Sequence, residues 1–262
     1  MKTILVGVDF TKSSENTLNY AILIAKQTHS KILLFHALTA PLIHSNSGLF
    51  FIAAENLTSG IEKKMKELQI QLSEKHKSVK FEIEITYDGI RNRVAFLSKN
   101  HKISLVVLGL EVKNKLMKLL TGTTALDLTG KINCPIITVP QKYKVHHITK
   151  MLIALDNKEP IQLKLSNLIH STIKSLAIET EFVHIVTDKE AILNSIKYKR
   201  INITNFKSSN FESGLKTYAK KSNADLIMII SHHYSDLHNL FIETNSQKII
   251  LSSSIPVISI HN

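Results

Sequence analysis

A chain of 262 residues, 44% hydrophobic and 21% charged, has globular composition and room for one large domain or two of ordinary size, and no segment approaches the run of about 18 apolar residues that spans a bilayer. The formal net charge of +12 attracts phosphate, but arginine occurs only at Arg91, Arg93 and Arg200, and the excess is lysine scattered along both halves, a compositional bias rather than a nucleic-acid surface. Cys134 is the only cysteine, which excludes an intrachain disulfide and a cysteine-based zinc cage and fits a reducing cytoplasm.

The first apolar run, residues 4–10 (ILVGVDF), is rich in β-branched residues and ends at an acid; Asp9 closes it too early for a signal-peptide core of roughly 7 to 15 residues, so it reads as a strand. A helix follows. Thr11, Ser13 and Ser14 are capping types, Glu15 suits a first turn, and Leu18, Ala21, Ile22 and Ala25 recur at helical spacing. The second strand, KILLFHAL (31–38), carries His36 near its end. A long helix is predicted next, with Leu57, Ile61, Met65, Leu68 and Leu72 on one face. ISLVVLG (103–109) and CPIITV (134–139) are further strands, the last opened by Pro135, and the polar, basic stretch from Pro140 to Lys150 reads as a boundary.

Beyond that boundary the order repeats. MLIALD (151–156) matches the first strand, Pro160 suits a helix start, and Leu165, Leu168, Ile169 and Ile173 form its apolar stripe. ETEFVHIV (179–186) carries His184 where the first copy has His36, DLIMIIS (225–231) matches ISLVVLG, and IPVISI (255–260) matches CPIITV with Pro256 in place of Pro135. The offset between copies is 147 at Asp9 and Asp156 and 121 at Pro135 and Pro256, so the second copy is 26 residues shorter. The loss falls between its second and third strands, where only a turn or two around Glu190 to Ile196 could replace the long helix. Strands alternating with helices imply two tandem α/β domains, 1–143 and 149–262, each an open parallel sheet buried on both faces.

In such sheets ligands bind beyond the carboxyl ends of the strands. In the first copy those ends carry Asp9, His36 with Ala37, and Gly109; from Gly109 the chain runs GLEVKNKLMKLLTGTTALDL, with Gly122, Thr123 and Thr124 ahead of a helical stretch. Glycine lets backbone approach a phosphate, and a hydroxyl adds a hydrogen bond. Over nearly its whole length the sequence resembles the universal stress protein family in its tandem form, a Rossmann-like fold of the adenine nucleotide alpha hydrolase-like type. Members that bind ATP carry a glycine, two residues, a second glycine, nine residues, then glycine with serine or threonine. Gly109, Gly122 and Thr123 fall on that spacing, while Val112 stands at the second glycine and Glu111 adds a negative charge to the loop. The resemblance places Asp9 and Ala37 near an adenine ring and Thr124 beside the phosphates. It implies a stress-response binding protein with a single ATP site in the first domain, no metal, an unnamed protein partner, no membrane, and an intramolecular pseudo-dimer, with a homodimer of whole chains left open. The alternatives are a weak nucleotide hydrolase using the same loop, or a partner-binding module without nucleotide.

The second copy aligns Ser231, Glu243 and Thr244 with Gly109, Gly122 and Thr123, and an acid facing phosphate makes a poor ATP site. His36 and His184 read as packed strand-end residues, Asp156 as a helix-capping acid, and His232, His233 and His238 as a polar loop rather than a metal site. No nucleophile motif or paired catalytic acids are found, so an enzyme is the runner-up.

Overall fold

The computed structural model describes residues 2–38, 48–87, 89–100, 103–110, 128, 132, 134–155, 163–187, 202–231 and 245–261. Its elements in the first half are β1 (Thr3–Gly7), α1 (Lys12–Thr28), β2 (Lys31–Ala37), α2 (Gly48–Lys75), β3 (Phe81–Thr86), α3 (Ile90–Asn100), β4 (Ile103–Leu110) and β5 (Ile136–Pro140). The second half has β6 (Lys150–Leu155), α4 (Leu163–Leu176), β7 (Glu179–Val186), β8 (Ile203–Lys207), α5 (Phe211–Lys221), β9 (Leu226–Ser231), α6 (Asn245–Ser252) and β10 (Val257–His261). The strands form one sheet in the order β3-β2-β1-β4-β5-β10-β9-β6-β7-β8. Every neighbouring pair is parallel except β5 with β10.

That antiparallel pair relates the halves. Under the sequence offset of 121, Ile137 corresponds to Ile258, and these two residues face each other in the register. The hydrogen bonds agree: Thr138 Oγ1 donates to the Val257 carbonyl at 3.2 Å, and Ser259 Oγ, the counterpart of Thr138, donates to the Ile136 carbonyl at 3.4 Å. A twofold relation therefore passes through the β5–β10 junction. Residues 38–80 separate β2 from β3, whereas only 187–202 separate β7 from β8, which locates the shortening where the sequence puts it.

Strand alternation sends neighbouring side chains to opposite faces. Ile4 and Val6 enter a core that runs unbroken beneath α1, α2 and α4 across both halves, while Leu5 enters a separate core beneath α3, and the second half has its own beneath α5 and α6. Of the α2 stripe, Met65 and Leu72 are buried and Ile61 and Leu68 half-buried, while the Leu57 side chain lies outside the described residues. Helix α1 is defined at both ends: Thr11 is its N-cap, accepting from the Ser14 amide, and His29 ends it in the left-handed region at φ 50°.

The stretch between the halves, which its polarity marks only as a boundary, is packed. Tyr143 and Ile148 are buried, the Tyr143 ring sits edge-on to Tyr20, Asn16 Nδ2 donates to the Tyr143 carbonyl at 2.8 Å, and Gln27 Nε2 reaches the Ile148 carbonyl at 3.4 Å. From the other side Asp225 accepts from His146 Nε2, the Thr149 amide and hydroxyl, and the Lys150 amide. Tyr143, between Lys142 and Lys144, and Ile148, after His147, are two isolated large side chains with too little periodicity for sequence to reveal this packing.

Candidate functional site

The carboxyl ends of β1, β2 and β4 open on a cleft of about 470 Å³, within the range of small-molecule sites. Asp9, His36, Ala37 and Gly109 all line it. So of the residues the sequence singles out, Asp9, Ala37 and Gly109 meet at one cleft. Gly122, Thr123 and Thr124 lie outside the described residues, as do Glu111, Val112, Asp156, Glu243, Thr244 and the histidines 232, 233 and 238.

Asp9 is held by the start of α1. Its Oδ1 accepts from the Thr11 amide at 3.0 Å and the Thr11 hydroxyl at 2.6 Å. The surrounding walls push its carboxyl up, but these bonds and that of Ser14 outweigh them and hold it below the ordinary carboxylate value. At neutral pH this corner is therefore anionic and offers acceptors. Such a corner suits amino or hydroxyl donors and repels phosphate. The carboxylate that orders Thr11, the N-cap of α1, therefore also lines the cleft.

Gly109 owes its type to packing. A Cβ built there would lie 2.8 Å from Thr17 Oγ1 and 3.0 Å from Ser13 Oγ, so glycine is what lets α1 approach β4. Ser13 Oγ is buried in the same wall and has no hydrogen-bond partner among the described residues, although Thr17 Oγ1 donates to the Ser13 carbonyl. A buried hydroxyl left unpaired costs about 1–3 kcal/mol, which a ligand group could recover. His36 is half-buried, and its Nδ1 lies 2.6 Å from the Val8 carbonyl; since a carbonyl only accepts, the proton is on Nδ1. Its ring is 5.6 Å from that of Phe10, an exposed residue at φ 60° over which Lys64 lies at 5.9 Å.

The sequence reading missed the third strand's contribution. Tyr87 and Gly89 follow β3 and line the cleft, Tyr87 hydrogen-bonding through its hydroxyl to Thr58 at 2.7 Å and Gly89 turning the chain at φ 73° into α3. The signal was present, since FEIEIT alternates like a strand and ends before a tyrosine and a glycine.

The sequence profile described as the universal stress protein family matches residues 1–140. The chain belongs to the universal stress protein family. No curated protein matches it in sequence. Among solved structures, a universal stress protein from Archaeoglobus fulgidus is similar over 99% of this chain and 96% of its own, at 14% identity and a TM-score of 0.74. A functionally unknown protein from Pseudomonas aeruginosa is similar over 100% of this chain and 92% of its own, at 13% identity and a TM-score of 0.64. At such identities the likeness is one of fold: these chains share the open, mostly parallel α/β sheet over both halves. Among the described residues, no helix of this universal stress protein is long and apolar enough to cross a membrane, and no group of three metal-ligating side chains is gathered.

Proposed function

We propose that this universal stress protein binds one adenine nucleotide, ATP, in the cleft of its first half, and works as a binding and regulatory protein for a protein partner in the cytoplasm. The reading assigns Asp9, Ala37, Gly109, Gly122, Thr123 and Thr124 to the site and takes residues 1–143 and 149–262 as its two domains. The observation that carries it is the gathering of Asp9, Ala37 and Gly109 around one cleft of about 470 Å³ at the carboxyl ends of parallel strands. The Ser13 hydroxyl in its wall, without a partner among the described residues, and the anionic Asp9 corner support a ligand that brings both donors and acceptors, as a nucleoside does.

Calorimetric titration with ATP, run beside an assay of phosphate release, tests this. The expected result is binding without turnover. Replacing the two residues that depart from the glycine-rich pattern, Val112→Gly with Glu111→Ser, should tighten ATP by roughly 5- to 150-fold, equivalent to about 1 to 3 kcal/mol, and tighten AMP less because it brings fewer charges. An ATP affinity unchanged in the double variant would count against the loop as part of the site, and steady hydrolysis would favour the hydrolase reading.

A further inference from the structure

The twofold relation between the halves makes one part of the molecule a template for another. On the face covered by α1 and α4, the segment from Gln141 to Thr149 lies under α1, held by Asn16 and Gln27 and anchored on Asp225. Carrying that place across the junction by the strand registers, and by His29 and Ala177, the left-handed residues that end α1 and α4, brings Thr149 onto Lys2, Asp225 onto Ser104, Pro256 onto Pro135, and Tyr20 and Gln27 onto Leu168 and Ser175. There the surface has an open cleft of about 260 Å³, lined among others by Lys2, Ile103, Ser104, Pro135, Ser171 and Ser175. So the equivalent of the place where the chain packs its own extended segment is a cleft under α4.

The lining says what would fit. Ser104 donates its proton to the Thr3 carbonyl at 3.1 Å, Ser171 to the Leu168 carbonyl at 2.9 Å and Ser175 to the Thr172 carbonyl at 2.9 Å, which leaves their lone pairs to accept from a backbone N–H. The cleft also exposes apolar surface of Leu168 and of the β1 and β4 ends. Where the filled place has the Asp225 carboxylate drawing in His146, this one has the neutral Ser104 hydroxyl, and its charged lining residue is Lys2. The cleft reverses the charge of its template. Cys134 also lines it, but burial pushes that thiol up to about 12, so it stays protonated and unreactive.

We propose that this cleft docks an extended peptide segment of a partner protein, one that carries apolar side chains and an acidic group for Lys2. Two fluorescein-labelled peptides test it: the sequence of residues 141–150 as it stands, and the same sequence with Lys142→Glu and Lys144→Glu. The acidic peptide should bind the full-length protein at least about tenfold more tightly than its basic parent, and Lys2→Glu should invert that preference. Ser171→Trp, at an exposed position that tolerates bulk, should abolish binding while leaving the ATP titration unchanged, so failure here is separable from failure at the nucleotide cleft. Bound peptide should also slow alkylation of a Ser175→Cys variant several-fold. Binding of neither peptide up to about 1 mM, a preference for the basic parent, or binding that survives Ser171→Trp would overturn the assignment.

Discussion

His36 and His184 make the same hydrogen bond, each from Nδ1 to the carbonyl of the residue ahead of a strand-end aspartate, Val8 in one half and Leu155 in the other. Yet His36 is half-buried beside a cleft, and His184 is 1% exposed. Among the described residues, the two halves also differ at the start of the helix that follows the third strand. In the first half Gly89, just ahead of α3, has nothing within 4 Å of a Cβ built on it, and Tyr87 lines the cleft while its hydroxyl donates to Thr58 of α2. In the second, α5 closes in so tightly that a Cβ on Gly214 would lie 2.6 Å from Ile185 Cγ2 and 2.7 Å from Ser208 Cβ. A shared topology thus holds two strand-end histidines at different depths, and a common sheet does not make the two ends alike.

The comparison can be broken outright at the junction that makes it valid. Ile137→Ala and Ile258→Ala each remove a fully buried side chain and should each cost about 2–5 kcal/mol in urea unfolding. Because the two residues are counterparts, similar losses are expected; a loss below about 0.5 kcal/mol at either would mean that the halves are not joined there. Gly214→Ala and Gly109→Ala come next, at about 1–3 kcal/mol each, since each Cβ meets atoms of a neighbouring element. Only Gly109→Ala should also weaken ATP, and equal effects of both on ATP would erase the distinction between the halves.

Asp9→Asn should weaken ATP about five- to tenfold through loss of the anionic corner, on the scale of one charged hydrogen bond, and cost α1 about 0.5–2 kcal/mol by loosening Thr11. Asp156→Asn should leave affinity unchanged. The smallest effect concerns the segment between the halves. The hydrogen bond to Asp225 holds His146 above its ordinary value, so this contribution is full below about pH 6.5 and is lost as pH rises through the raised value. Burial pushes Asp225 up, but its hydrogen bonds from His146, Thr149 and Lys150 hold it lower than usual, so its own contribution is present at neutral pH and is lost only in acid. Between pH 6 and 8.5 the melting temperature should therefore fall more in the wild type than in His146→Gln, by no more than about 2–4 °C for a pair this exposed. A wild type that gains stability relative to the variant over that range would reverse the sign.

Much of this was legible in the chain. Repeated apolar runs ending in Asp9 and Asp156, and the prolines before β5 and β10, mark the strands and their repeat because buried parallel strands leave near-continuous hydrophobic stretches. Asp9, Ala37 and Gly109 were legible as strand ends. Hidden were features that depend on distance in three dimensions: that Gly109 is glycine because Thr17 and Ser13 crowd it, that the Ser13 hydroxyl in the cleft wall has no partner among the described residues, and that Gly214 is glycine because Ile185 and Ser208 crowd it. A glycine's reason for being glycine lies in its neighbours across space, and no spacing along the chain states it.

The central claim is that only the first half takes a nucleotide, and counting bound ATP by native mass spectrometry addresses it most directly, on the wild type and on Ala37→Trp, which places a large ring at the cleft wall. One ATP per wild-type chain and none on Ala37→Trp is the result expected here. Two ATP per chain, or one that remains on Ala37→Trp, would contradict it.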